Sequence, residues 1–131
     1  MRRTLPITII LTLLSIAGCR GDDGPTRYQV SGTVTADGEP VKKGYIVFQP
    51  ADPGGRADGA PIEAGRYDLR ATPGRKKVEI RAMRTSGKID ANLGQPLEEN
   101  FLPAKYNTKT ELTAEVTASG PTRFDFSLSS R

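Results

Sequence analysis

The sequence contains no histidine, no tryptophan and a single cysteine, Cys19. Without histidine it lacks the commonest general base at neutral pH and the commonest ligand for catalytic zinc or iron. Ser/His/Asp and Cys/His nucleophilic sites are excluded for the same reason, which leaves only lysine-based or paired-carboxylate chemistry open. A lone cysteine can form no internal disulfide, so stability has to come from a hydrophobic core. Aromatic residues are scarce, four tyrosines and four phenylalanines in 131 residues, and the missing tryptophan removes the best platform for stacking on sugar rings. Net charge is small as well. Removing Arg2 and Arg3 from the formal +4 leaves +2 for the rest of the chain, too little to specify a nucleic-acid partner.

Long apolar runs are absent beyond the N-terminus. Arg2 and Arg3 precede an apolar stretch over residues 5–17, broken only by Pro6, Thr8, Thr12 and Ser15. A membrane span needs about 20 apolar residues. This run stops at Gly18-Cys19, before the polar Arg20-Gly21-Asp22-Asp23, which is the pattern of a removable export signal. The string Leu14-Ser15-Ile16-Ala17-Gly18-Cys19 resembles the bacterial lipobox, with an aliphatic residue at minus three, small residues at minus two and minus one, and then the cysteine. The resemblance implies cleavage between Gly18 and Cys19 and a diacylglyceryl thioether on the Cys19 sulfur. Two or more acyl chains hold a protein durably where one binds only marginally. Residues 1–18 are therefore expected to be a lipoprotein signal peptide, residues 19–27 the lipidated cysteine and a tether, and residues 28–131 the folded domain. Gly21, Gly24 and Pro25 suit a flexible tether. Arg20-Gly21-Asp22 spells an integrin-binding tripeptide, but it lies in a linker where glycine and aspartate are expected anyway. The chain is expected to be exported and lipid-anchored at a bacterial membrane, on its periplasmic face or at the cell surface.

From Tyr28 onward apolar residues recur with period two, the spacing of half-buried strands. Tyr28, Val30 and Val34 alternate with Gln29, Ser31 and Thr33 up to the tight-turn pair Asp37-Gly38. Gly44-Tyr45-Ile46-Val47-Phe48 is apolar on both faces and is expected to lie centrally, with Ile46 and Phe48 inward, until Pro50 ends it. Residues 51–59 read as a surface loop. Ala60-Pro61-Ile62-Glu63 and Arg66-Tyr67-Asp68-Leu69 flank Ala64-Gly65 as a hairpin, and Pro73-Gly74 forms the next turn. Lys77-Val78-Glu79-Ile80-Arg81-Ala82 alternates without a fault, which puts Val78 and Ile80 inside and Lys77, Glu79 and Arg81 outside. The last two strands are expected at residues 111–116 and 123–128, joined through Ser119-Gly120-Pro121, with Leu112, Val116, Phe124, Phe126 and Leu128 in the core. The pattern is all-β: about seven short antiparallel strands packed as a sandwich.

Val30-Ser31-Gly32-Thr33-Val34, then Gly38 with Pro40-Val41, then Gly44, Ile46, Phe48 and Pro50, resembles the opening of carboxypeptidase regulatory-like, or transthyretin-like, domains. Gly65-Arg66-Tyr67-Asp68-Leu69 and Pro73-Gly74 continue it, and Leu102-Pro103-Ala104-Lys105-Tyr106-Asn107 is similar to a segment of small planctomycete-type lipoproteins. The resemblance implies a seven-stranded, prealbumin-like (Ig-like) β-sandwich serving as an accessory envelope module without catalysis or cofactor. The expected function is a noncatalytic, lipid-anchored envelope protein acting as a structural or protein-interaction module; the alternative is a module binding carbohydrate or another ligand. Partners are then the membrane and envelope proteins or glycans, not nucleic acid. For sugar stacking only Tyr45, Phe101 and Tyr106 fall off the expected core faces.

Among candidate sites, Asp52, Asp58 and Glu63 carry hard oxygens but match no EF-hand spacing, and a solvated loop accounts for them better. An internal isopeptide bond requires a lysine in the first strand, which has none. Arg70, Arg75, Lys76, Lys77, Arg81, Arg84 and Lys88 form a basic stretch that suits anionic glycans or headgroups, but Glu79 interrupts its exposed face and a solvated strand is the favoured reading. Residues 85–108 are expected to be the longest loop. Within it Phe101, Leu102 and Tyr106 either cap an open end of the core, the favoured reading, or form an interaction loop for a partner.

Overall fold

Alternating apolar and polar residues form strands where the apolar set can share one buried face. The computed structural model describes residues 24–131 and is built almost wholly of strands. They are β1 (Tyr28–Ala36), β2 (Glu39–Pro40), β3 (Lys43–Pro50), β4 (Asp58–Glu63), β5 (Arg66–Ala71), β6 (Gly74–Ile89), β7 (Pro96–Asn100), β8 (Thr113–Val116) and β9 (Phe126–Leu128). One turn of 3-10 helix spans Ala104–Tyr106, and the described residues include no α-helix. The signal segment with Gly18, and Cys19 itself, lie outside the described residues.

Hydrogen bonding joins the strands in the order β2-β1-β5-β4-β3-β6-β7, with β8 added to β6 and β9 to β1, as one curled sheet. Two turns with both central residues at positive φ set the local pairings: Asp37-Gly38 at 53° and 81°, and Ala64-Gly65 at 49° and 76°. That geometry matches the twist of the strands entering and leaving a two-residue hairpin. Ala64-Gly65 brings Glu63 opposite Arg66, so Ile62, Tyr67 and Leu69 all face inward.

The core forms where the curl brings β3, β5 and the C-terminal segment together. The Phe48 ring lies 6.2 Å from both Tyr67 and Phe124, and Tyr67 lies 6.4 Å from Phe126, all in tilted arrangements. Around them Val30, Val34, Ile46, Ile62, Val78, Ile80 and Val116 are fully buried. Of the residues expected inside, Tyr28, Leu112, Phe124 and Phe126 pack against the core from half-buried positions. Val78 and Ile80 point in and Lys77 and Arg81 out, with Glu79 half-buried beside Arg81.

Four local expectations are corrected. Residues 51–59 are not all loop: β4 begins at Asp58, whose carboxylate is buried. Residues 85–108 are not one long loop, because β6 runs on to Ile89 and pairs with β7 as a hairpin. The strands are not all antiparallel. β8 joins β6 antiparallel, whereas β9 joins β1 in parallel, with Val34 opposite Phe126. Finally, Lys76 is not a solvated member of the basic stretch but is only 3 % exposed, since it continues the inward register of Val78 and Ile80. Period-two alternation fixes which face a residue takes, not which neighbour a strand finds or in which direction it runs.

The C-terminal segment is latched to β1 at several points. Ser31 N–H donates to the Thr122 carbonyl and accepts from Phe124 N–H through its own carbonyl, each at 3.0 Å. Thr33 N–H donates to Asp125 Oδ1 at 2.8 Å, and Ser130 N–H to Asp37 Oδ1 at 3.0 Å. Hydrogen bonds from the Thr33 backbone first, and from Arg123, hold the Asp125 carboxyl below its ordinary value of 3.8. Hydrogen bonds from Ser130 do the same for Asp37. The segment comes so close that a Cβ on Gly32 would stand 1.9 Å from the Phe124 carbonyl oxygen.

Gly32→Ala is therefore expected to destabilise the domain by about 3 kcal/mol, at the upper end of overpacking penalties, read as a lowered denaturant midpoint at unchanged slope. The lowered aspartates stabilise the fold above about pH 4 and lose that contribution as pH falls through their folded values. Asp37→Asn/Asp125→Asn should accordingly show a smaller loss of melting temperature between pH 5 and pH 3 than the parent chain.

Candidate functional site

Three surfaces bring chemistry-bearing residues together. The first lies along the edge of β6. Among the described residues no strand covers it between β7 and β8; residues 101–112 run down it instead, and side chains take the place of a partner backbone. Asn100 Oδ1 accepts from Ala82 N–H at 3.1 Å, Phe101 N–H donates to the Ala82 carbonyl at 3.0 Å, and Thr110 Oγ1 donates to the Val78 carbonyl at 2.6 Å. Buried Asn107 donates from Nδ2 to the carbonyls of Pro103 at 3.1 Å and Ile80 at 3.4 Å. The structure thus gives the Leu102-Pro103-Ala104-Lys105-Tyr106-Asn107 string a structural task. Leu102 enters the core, Phe101 and Tyr106 pack half-buried against it, and the Tyr106 hydroxyl accepts from Ser129 N–H at 3.1 Å. Phe101 lies under the Arg84 guanidinium at 5.4 Å and Tyr106 under the Lys105 ammonium at 5.1 Å. Neither ring is free in the way the sequence suggested.

The second surface is a cleft of about 610 Å3 on the outer face of β1, β4 and β5, where Ser31, Thr33, Glu63, Arg66, Asp68 and Arg123 are among the lining residues. Tyr67 also borders it, but its hydroxyl turns inward to donate to the Phe124 carbonyl at 2.5 Å, and burial pushes its pKa far above the ordinary value near 10. Pro61, another lining residue, is paired across β4 and β3 with Tyr45, which is 49 % exposed.

The third is a buried polar cluster where residues 24–27 enter the domain. Asp58 Oδ2 accepts from Thr72 N–H at 2.9 Å and from Thr72 Oγ1 at 3.2 Å; Lys76 Nζ donates to the same Thr72 Oγ1 at 2.7 Å. Arg27 Nε stands 3.7 Å from Asp58 Oδ1, as an ion pair without hydrogen-bond geometry. Sequence reasoning placed Asp58 and Lys76 in solvent. The signal that identifies them is their register: Asp58 falls in phase with Ala60 and Ile62, and Lys76 with Val78 and Ile80. Asp52 and Glu63 are exposed and do not join Asp58. Among the described residues no group of three histidine, cysteine or acidic side chains is placed to hold a metal ion, and no helix is long and apolar enough to cross a membrane.

No protein-family model matches the sequence, and no curated protein matches it. Among solved structures the chain is similar to a 9R-lipoxygenase from Cyanothece PCC8801, at 13 % identity and a TM-score of 0.35. The match covers 79 % of this chain and 16 % of the lipoxygenase, so the chain spans about a sixth of that protein's length. A likeness this weak carries no inference about fold or activity.

If residues 101–107 cap the core, Tyr106→Ala is expected to cost about 2 kcal/mol, the low end of large-to-small core penalties because the ring is only half-buried. Tyr106→Phe should cost about 1 kcal/mol, the worth of one hydrogen bond. Denaturant melts of both variants check this. A Tyr106→Ala domain as stable as its parent would instead assign the ring to a partner contact.

Proposed function

We propose that this chain is a noncatalytic, lipid-anchored protein of a bacterial cell envelope, whose β-domain acts as a structural or protein-interaction module. The observation that carries the reading is the lipobox-like Leu14-Ser15-Ile16-Ala17-Gly18-Cys19, which ends at the only cysteine of the sequence. The first strand starts at Tyr28, which leaves residues 20–27 as a tether. We read the curled sheet as a variant of the prealbumin-like sandwich: β2, of two residues, and β7, part of a protruding hairpin, are additions to seven principal strands. The rings of Phe48, Tyr67, Phe124 and Phe126, meeting across the curl, support this reading.

The register also suggests which end meets a partner. Tyr28 pairs with Ala71, beside the turn that begins β6, so the tether enters at the Gly74 end of that strand. β3 pairs with β6 as far as Gly44 opposite Ala82, and the β6–β7 hairpin extends beyond it at the opposite end. That hairpin exposes Ile89, Leu93 and Leu97 at 60 %, 72 % and 40 %. Apolar side chains held away from the anchor suit contact with another envelope protein. Binding of carbohydrate is the second reading, favoured by half-exposed Tyr45 alongside the polar cleft. A glycan array in which parent binding is lost in Tyr45→Ala would select it.

Cys19→Ala is expected to move the protein from the membrane fraction to the soluble fraction, or to leave it with its signal segment uncleaved. Intact-mass measurement of the parent should give a chain that starts at Cys19 and carries acyl groups. An unacylated parent that starts elsewhere would overturn the reading.

A further inference from the structure

The polar cluster at the tether end holds more positive than negative charge. Arg27 pairs with Asp58, whose Oδ2 already accepts two hydrogen bonds from Thr72, and Lys76 reaches this carboxylate only through the Thr72 hydroxyl. An ammonium has three donors. Among the described residues the Lys76 group meets one acceptor, the Thr72 hydroxyl, although the residue is only 3 % exposed. Arg27 Nε is buried and has no hydrogen-bond partner among the described residues. Burying a cation is costly unless it is paired and its donors are satisfied. Lys76 also lines a cavity of about 520 Å3 between Pro25 of the tether, the end of β3 at Pro50, residues 52–56 and the turn from Thr72 to Arg75. The charged residues lining it are three cations, Arg56, Arg75 and Lys76, against one carboxylate, Asp52.

We propose that this cavity is a binding site for a phosphate-bearing anion, with Lys76 as its buried cation and Arg56 and Arg75 at its rim. A tetrahedral oxyanion offers several acceptors at once and would occupy the donors that Lys76 leaves unused; hydrogen bonds between ionised partners are about twice as strong as neutral ones. The phosphate can come from a lipid headgroup or from a soluble phosphate. The headgroup source rests on the lipid-anchor reading. If Cys19 is acylated, the eight residues 20–27 span at most about 29 Å even when fully extended, which keeps this end of the domain near the bilayer surface. The soluble source requires no anchor.

The test uses the full processed chain in non-ionic detergent, titrated with inorganic phosphate against sodium chloride at matched ionic strength, with calorimetric heat and melting temperature as readouts. In parallel the chain is reconstituted in vesicles of phosphatidylglycerol and phosphatidylcholine, or of an uncharged glycolipid without phosphate, and amide exchange over residues 72–77 is compared. Phosphate is expected to bind and raise the melting temperature where chloride does not. Lys76→Met, which fills the buried position without charge, and Arg75→Gln, on the exposed rim, should each weaken phosphate affinity about ten-fold or more, or 1.4 kcal/mol. Arg75→Gln serves if Lys76→Met fails to fold. Protection of residues 72–77 in the phospholipid vesicles alone assigns the headgroup source, and phosphate binding without that protection assigns the soluble one. Absence of both, or phosphate affinity unchanged in Arg75→Gln and in any folded Lys76→Met, overturns the proposal. Acylation of Cys19 is read separately by intact mass, so loss of the anchor reading leaves the phosphate arm intact.

Discussion

The interaction on which the architecture depends is the hydrogen-bond ladder along β6. At sixteen residues it is the longest strand, and it pairs with β3 on one side while β7 and β8 flank it on the other. A buried peptide group without a partner costs as much as a lost hydrogen bond. The stretch from Val78 to Ala82 is deep in the core and, among the described residues, has no strand on its second side. Asn100, Asn107 and Thr110 complete it with side-chain groups, together with main-chain contacts from Phe101 and Leu112. Asparagine and threonine suit the task because a short polar side chain can imitate the peptide acceptor or donor while the backbone itself takes an irregular path.

Closure of the sheet depends on a second set of contacts. β9 lies parallel to β1, the Phe124 carbonyl presses against Gly32 and accepts the Tyr67 hydroxyl, and Phe124 and Phe126 join Phe48 and Tyr67 in the core. The chain's last strand therefore covers what its first strand leaves open. A sheet without such a latch would expose the rim of its own core. The resulting body is asymmetric. Buried and rim cations gather where residues 24–27 enter the domain, and the exposed apolar side chains of the β6–β7 hairpin stand at the other end.

Much of the fold was legible because alternation is a local signal. Val30, Val34, Ile46, Phe48, Val78 and Ile80 announce their faces within a few residues of sequence, and Asp37-Gly38 and Ala64-Gly65 announce hairpins that their positive φ angles bear out. The β6–β7 hairpin was not legible. Its strands are exposed on both faces, so no alternation marks them; Thr85, Gly87, Lys88 and Leu97 are all in solvent. The candidate site was legible only in part. Leu102 and Tyr106 stood out as apolar residues in a polar stretch, whereas Asn107 and Thr110 looked like ordinary loop residues until the carbonyls they reach came into view.

By itself the sequence determined the all-β class, the inward faces of its regular strands, its lack of histidine and the lipobox-like string ending at Cys19. Each follows from residue type and short-range spacing, which folding does not alter. Only the tertiary structure decided that β9 joins β1 in parallel, that Asp58, Thr72 and Lys76 form one buried cluster, and that residues 101–112 serve as the missing edge of β6. These are pairings between residues far apart in the chain. They are selected by which surfaces remain uncovered once the sheet has curled, a quantity that no local pattern records.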